Sequence, residues 1–60
     1  MTARVCIYDG AVKNPESNLL RTIFIIDIKN ITSDNDEITI NRENGEQITF
    51  DAPTAKIIIE

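Results

Sequence analysis

The residues that most often carry chemistry are few in this chain. Cys6 is the single cysteine, and histidine and tryptophan are absent. A structural zinc site needs a set of Cys and His ligands, and a catalytic nucleophile needs a base beside it. We therefore predict that the protein is not an enzyme and has no catalytic, cofactor-binding or metal-ligating residue. We interpret Cys6 as a small buried hydrophobic residue.

The carboxylates offer two further candidate sites. Asp34-Asn-Asp-Glu37 has the oxygen-rich start of a calcium loop, but the glycine and the distant bidentate glutamate of that motif are missing. We interpret it as a solvated turn. Asp27 lies within an apolar run, where a carboxylate can acquire a raised pKa and act as an acid. Lys29 shares its strand face two residues later, so we interpret Asp27 as a strand end that reaches water.

Charge and hydropathy argue against two classes of partner. The net charge is −4, from six Lys and Arg against ten Asp and Glu, and the basic residues are scattered along the chain. Nucleic-acid binding relies on concentrated positive charge and stacking aromatic residues, so direct binding is not expected. No stretch approaches the roughly 20 apolar residues of a membrane span. The first residues lack the apolar run of a signal peptide, and a lone thiol suits a reducing compartment, so we expect a cytoplasmic protein.

The elements that must position any site are predicted to be β-strands within one domain, 1–60. β-Branched residues recur at every second position, which is the strand period, and turn-forming residues separate the segments. Residues 14–21 stay open between helix, loop and strand. One helical turn near 15–20 is allowed, because Asn14-Pro15-Glu16 resembles a helix start. The predicted strands are 3–9, 20–29, 36–42, 46–52 and 55–60, which gives an all-β, five-stranded antiparallel barrel or rolled sheet.

The Asn44-Gly45 turn decides which side chains share a face. A two-residue turn places Ile40 opposite Thr49, whereas a three-residue loop at 43–45 places Ile40 opposite Ile48. Because a shift of one residue moves every side chain to the other face, we predict the three-residue loop. It combines a type I turn with Gly45 at positive φ. The inward residues are then Ile38, Ile40, Ile48 and Phe50, and the outward residues are Thr39, Asn41, Gln47 and Thr49.

The predicted strands at 20–29 and 55–60 carry apolar residues on both faces. A single small core needs only one face of each strand, so Ile23, Ile25 and Ile58 are interpreted as surplus to it. Monomers rarely leave such a patch exposed, and a 60-residue domain gains most from extra burial. We therefore predict a homodimer or higher oligomer whose interface includes Ile23, Ile25 and Ile58.

Two short stretches of the chain resemble a known family. Met1-Thr-Ala-Arg-Val5, and Gly45-Glu46 before an apolar strand, resemble the CooT-type small β proteins. The resemblance implies metal binding connected with nickel delivery, through a cysteine directly after the initiator Met. Thr2 stands at that place in this chain and Cys6 does not match it, so no site residue is carried over.

The sequence thus predicts a non-enzymatic, acidic binding protein that acts through protein–protein contacts. Its expected partners are itself and an unidentified protein, and it needs no cofactor. Acidic single domains of this length are often regulators or inhibitors, including phage-encoded ones, and that association suggests the same role here. The alternative is a small-ligand or metal (nickel) binding accessory protein of CooT-like type.

Overall fold

A computed structural model describes residues 1–60, and these are arranged almost entirely in β-strands. Six antiparallel strands form two three-stranded sheets, with the order β2-β1-β6 in the first sheet and β3-β4-β5 in the second. There is no α-helix, and hence none that could span a membrane. The all-β, antiparallel prediction is confirmed. The strands are β1 Ala3–Tyr8, β2 Leu19–Ile25, β3 Ile28–Asp34, β4 Glu37–Arg42, β5 Gln47–Asp51 and β6 Ala55–Ile59, and a single 3-10 turn spans Ala52–Thr54.

The prediction of one strand over 20–29 is wrong, because the chain turns a corner at Ile26-Asp27 and passes into the second sheet. Asp27 adopts φ 54°, and Asp is among the few residues that tolerate this left-handed conformation. Both corner carbonyls are bonded: Ile26 O accepts from Arg42 Nε at 3.0 Å, and Asp27 O accepts from the Glu43 N–H at 2.9 Å. The third strand begins with the last two residues of that predicted strand and continues through residues 30–34, which the sequence predicts as a connection. There are six strands instead of five, in two separate sheets and not a closed barrel.

The segment between β1 and β2 forms turns and not the helical turn allowed near 15–20. The Ser17 N–H donates to Asn14 O at 3.0 Å, which closes a turn. Asn14 Oδ1 also accepts from the Glu16 N–H at 3.0 Å, a local bond that competes with helix formation. The chain is therefore loop up to Leu19, where β2 begins.

The β4–β5 hairpin has the predicted register. Ile40 lies opposite Ile48, and the loop closes between Arg42 and Glu46. The Arg42 N–H donates to Glu46 O at 2.9 Å, and the two side chains form an ion pair at 2.8 Å. Gly45 has φ +90°, a conformation that glycine adopts without steric penalty. The predicted three-residue loop is confirmed.

Gly45→Val should lower the free energy of unfolding by about 1 kcal/mol or more, because a β-branched residue is strained at positive φ. Apart from Gly45 and its two chain neighbours, no atom lies within 4 Å of the place that a Cβ would occupy, so the loss arises from the backbone conformation and not from a clash with the rest of the protein. Glu43→Val is the matched control, since Glu43 is exposed in the same loop at negative φ. Urea unfolding compares the two variants, and equal losses would contradict the positive-φ explanation.

The two sheets pack against each other through one small apolar core. Ile40 and Val5 are its largest fully buried side chains. The accessible surface is 4160 Å², close to the roughly 4,000 Å² expected for a compact monomer of 6.8 kDa. The fold is therefore compact although few residues are buried. The core consists of Ala3, Val5, Ile25, Ile28, Ile40 and Ala55, with Ile7, Ile23, Ile31, Ile48, Phe50 and Ile57 packed against it.

Candidate functional site

The structure corrects the face assignment of β2. Ile25 is 5% exposed and belongs to the core, and Ile23 packs against that core. Phe24 is instead 66% exposed, and Ile26 at the corner is 55% exposed. The cause is the pairing with β1, because Ile25 lies opposite Ala3, which is itself completely buried beneath the second sheet. The surplus apolar surface of β2 therefore lies on the side of Phe24.

The outer face of the first sheet collects this surplus surface. Cross-strand register places Phe24 and Ile58 on either side of Arg4. Of the residues predicted at an oligomer interface, Ile58 lies on this face, whereas Ile23 and Ile25 face inward; that interface stays a prediction. We call this surface the basic-apolar face, and it is formed by Arg4, Cys6, Tyr8, Leu19, Thr22, Phe24, Lys56 and Ile58.

The charges of the first sheet are all positive. Its strands contain Arg4, Arg21 and Lys56 and no acidic residue, so the rest of the chain holds ten acidic and three basic residues, a net −7. Arg4 has one acidic neighbour, with Nε 3.9 Å from Glu60 Oε1, and its side chain is 40% exposed. Its Nε is buried and makes no hydrogen bond. A carboxylate on another molecule would therefore have to bind the exposed part of the Arg4 guanidinium group.

Cys6 lies at the centre of the basic-apolar face, on the middle strand of the sheet. It is a free cysteine, 8% exposed, and its cross-strand neighbours are Thr22 and Lys56. It does not belong to the core between the sheets. The predicted burial of Cys6 is confirmed, but its burial occurs on the outer face and not in the core.

The outer face of the second sheet has the opposite character. An amide ladder crosses its three strands: Asn41 Nδ2 donates to Asn30 Oδ1 at 2.8 Å, and Gln47 Nε2 donates to Asn41 Oδ1 at 2.9 Å. The next row along the strands consists of three threonines. The polar, outward face predicted for the hairpin is confirmed. Because its amides bond one another, we interpret it as an ordinary solvated sheet surface.

The carboxylates considered as candidate sites lie in exposed turns. Asp34 and Glu37 pair across the two-residue turn between β3 and β4, and the Asn35 N–H donates to Asp34 Oδ1 at 2.8 Å. Asp27 is exposed at the corner between the sheets. No group of three or more His, Cys, Asp or Glu side chains is placed to hold a metal ion. The interpretation of Asp34-Asn-Asp-Glu37 as a solvated turn is confirmed. Asp27 reaches water as predicted, although it lies at a corner between two strands and not at the end of one.

Another carboxylate, Asp9, ties together the two ends of the loop between β1 and β2. Its Oδ1 accepts from the Asn18 N–H at 2.7 Å, and its Oδ2 accepts from Asn18 Nδ2 at 3.3 Å. These bonds to Asn18 favour the charged form and lower the pKa of Asp9 below its usual 3.8. Asp9 therefore has a structural role.

The stability of the fold should fall in acid partly through Asp9. A carboxyl with a lowered pKa stabilises the fold fully above its unfolded pKa, near 3.8, and this contribution is lost as the pH falls through the lower folded value. Asp9→Asn removes the titrating group. The difference in melting temperature between wild type and Asp9→Asn should be constant near neutral pH and shrink below about pH 3.8. A difference that does not depend on pH would contradict this role.

A groove lies where the loop before β2, the β3–β4 turn and the β5–β6 connection meet. Its volume is about 440 Å³. The Val12 N–H donates to Pro53 O at 2.7 Å, which holds the loop against the connection. The polar contributions to the wall come from Lys13 and Asn35. The lining residues are Ala11, Val12, Lys13, Asn35, Ala52, Pro53 and Ala55.

The exposed apolar residues of β2 are not predicted from the sequence. Assigning Ile23 and Ile25 to the surplus face leaves Phe24 on the inward face, which is the reverse of the observed arrangement. The sequence also yields no prediction for Leu19 and Leu20, and these two leucines are 53% and 64% exposed. One signal could have identified this face: Arg4 and Lys56 each alternate with apolar residues and so mark the outward positions of their strands.

No family model, curated protein or solved structure matches the chain.

Proposed function

We propose that the chain is a non-enzymatic binding protein of the cytoplasm, a homo-oligomeric regulator or inhibitor that acts by occupying the surface of a partner protein. The proposal is carried by the basic-apolar face, where exposed apolar side chains and basic groups share one side of a sheet. Phe24 is 66% exposed there and Leu19 is 53% exposed. Monomeric proteins rarely leave a group of such residues in water, and these patches commonly mark interaction sites.

The charges indicate what kind of partner protein this face would fit. Arg4 and Lys56 lie in adjacent rows of the face, whereas the chain as a whole carries a net charge of −4. An acidic partner is therefore repelled by most of the molecule and attracted by one side, which makes the contact specific in orientation. We infer a partner with an apolar patch bordered by carboxylates.

A tagged chain should retain its partner from an extract of its native host through this face. Phe24→Ser removes the most exposed aromatic ring, and Lys56→Glu reverses a charge. Each should reduce the retained partner by about tenfold or more, the loss that 1.4 kcal/mol of binding free energy produces. Mass spectrometry of the retained proteins measures this loss.

The matched controls lie on the outer face of the second sheet. Thr32→Ser and Thr49→Glu introduce the same two side chains at exposed positions on its two edge strands. The amount of retained partner should be unchanged in both. If all four variants retain the same protein equally, the basic-apolar face is not the binding site.

Small-ligand binding is a second candidate function, and the groove favours it. Its volume of about 440 Å³ lies within the roughly 300–1,000 Å³ that is typical of ligand sites, and Lys13 would favour an anionic molecule. Titration with inorganic phosphate, followed through the backbone amide shifts of Val12 and Ala55, tests this function. For the nickel-binding form, Ni²⁺ would have to raise the melting temperature of wild type but not of Cys6→Ala.

A further inference from the structure

β2 has a free hydrogen-bonding edge. It is an outer strand of its sheet and pairs only with β1. On the other side of β1, the Glu60 N–H donates to Thr2 O at 2.9 Å. Because the amide groups of a strand alternate between its two sides, the next residue, Ala3, bonds toward β2, where it lies opposite Ile25. The same alternation along β2 directs the N–H and C=O groups of Thr22 and Phe24 to solvent.

Few of the features that protect an edge strand from pairing are present in β2. Natural edges are short, charged, interrupted by proline or twisted by a bulge. β2 has seven residues with Arg21 as its single charge and no proline, and its one bulge is at Leu20, which has no partner in the register with β1. The other edge strands are better protected, since β3 and β5 carry acidic residues and β6 has five residues.

The exposed side chains of β2 are symmetric about its middle residue. Thr22 is the fourth of seven residues, and Leu20 and Phe24 lie two positions to either side. These are the most exposed large apolar side chains of the chain, at 64% and 66%. In an antiparallel pair of identical strands with Thr22 opposite Thr22, Leu20 of each copy lies opposite Phe24 of the other. Arg21 then lies opposite Ile23, so the two arginines do not face each other.

Charge distinguishes edge pairing from the stacking of two copies face to face. Stacked basic-apolar faces would bury Lys56 of both copies without an acidic partner, since the ion pair beside this face joins Arg4 to Glu60, and burying an unpaired charge is strongly unfavourable. Edge pairing leaves these groups in water. With strands about 4.8 Å apart, the two Arg4 residues are separated by three spacings, about 14 Å, which exceeds the Debye length of about 8 Å at physiological ionic strength.

We propose that β2 pairs with the β2 of a second copy, antiparallel and centred on Thr22, in a continuous sheet of order β6-β1-β2-β2-β1-β6. This pairing rests on the homo-oligomer part of the proposed function. It gives partners to the outward amides of Thr22 and Phe24 and places Leu20 of each copy beside Phe24 of the other, on a face that stays open to the acidic partner. It also places two basic-apolar faces side by side, which doubles the surface offered to an acidic partner.

Thr22→Pro tests the pairing, because proline at this position removes only an N–H that points to the free edge, where edge strands accept proline. Thr22→Ala is the matched control, since it keeps the N–H and removes the side chain. Sedimentation equilibrium should give the mass of a dimer for wild type and Thr22→Ala, and the mass of a single chain for Thr22→Pro, with unchanged circular dichroism. In an equal mixture of isotope-labelled and unlabelled chain, NOEs between Leu20 methyl groups and the Phe24 ring should cross the interface.

A folded wild type with the mass of a single chain, or a dimer that Thr22→Pro leaves intact, would overturn the pairing. If Thr22→Pro does not fold, the intermolecular NOEs decide: Leu20–Phe24 contacts support the pairing, and a dimer without them refutes it. Lys56 lies outside the paired edge. Partner retention that is insensitive to Lys56→Glu therefore counts against the proposed function and not against the dimer.

Discussion

Ile25→Lys is expected to abolish folding, whereas Phe24→Lys at the neighbouring position should leave the chain folded. Ile25 is 5% exposed within the core, and Phe24 is 66% exposed on the opposite face. A lysine ammonium group in this core loses its hydration, and the core contains no buried polar residue that could pair with it. The cost is several kcal/mol. A domain of this size rarely has more than about 3–5 kcal/mol of stability, so the fold does not tolerate the change.

The two lysine variants form a matched pair, because they introduce the same side chain and the same charge one position apart. Thermal melts followed by circular dichroism should be cooperative for wild type and Phe24→Lys and absent for Ile25→Lys. The reverse result, with Ile25→Lys folded and Phe24→Lys unfolded, would restore the original assignment of the two faces of β2.

Ile40→Ala should lower the free energy of unfolding by about 2–5 kcal/mol, the range for removing a buried isoleucine side chain. Ile40 is completely buried on the middle strand of the second sheet, and Ile31 and Ile48 flank it in the cross-strand row. The cavity left by the smaller side chain therefore lies at the centre of the core. Since the loss approaches the whole stability of the domain, urea unfolding is best followed in the presence of a stabilising osmolyte.

Ile59→Ala is the control for Ile40→Ala. Ile59 is 54% exposed, and substitutions at the surface usually change the free energy of unfolding by about 0.5 kcal/mol or less. Comparable losses in the two variants would mean that the second sheet does not supply the centre of the core.

The β4–β5 hairpin could be predicted from the sequence because two independent signals agree there. Strict alternation fixes the inward residues, and the register that aligns Ile40 with Ile48 is also the one that closes the loop with Gly45 at positive φ. Each signal alone is compatible with two hairpin registers. Together they are compatible with only one, since a shift of the register by one residue moves polar side chains into the core.

The faces of β2 could not be predicted, because apolar residues occupy both of them. Alternation states which residues share a face but not which face meets the second sheet. That choice depends on β1, whose small and fully buried Ala3 and Val5 lie opposite Ile25 and Ile23. The basic-apolar face could be predicted only in part for the same reason. Arg4 and Lys56 mark the outward positions of their own strands, but the pairing that places Phe24 and Ile58 beside Arg4 joins strands far apart in the chain.

The third strand could not be predicted from the sequence for a different reason. Its residues, Ile28 to Asp34, are mostly polar and exposed, so their composition is typical of a connection. The corner that precedes it depends on the backbone of one residue, Asp27, at φ 54°. Aspartate tolerates this conformation but does not require it, so the corner was not evident from residue type.

The two sheets differ in how far along the chain their pairings reach, and this bears on the order of folding. In the second sheet every strand pairs with its neighbour in sequence, as Ile40 does with Ile48. In the first sheet β1 must also find β6, with Ala3 opposite Ile59. Closing the longer loop costs about 1.7 kcal/mol more chain entropy than closing the hairpin.

We expect the hairpins to form first and the docking of β6 to follow the rate-limiting barrier. Ile57→Val should then speed unfolding, while Ile48→Val slows folding; the opposite pattern would place the nucleus in the first sheet.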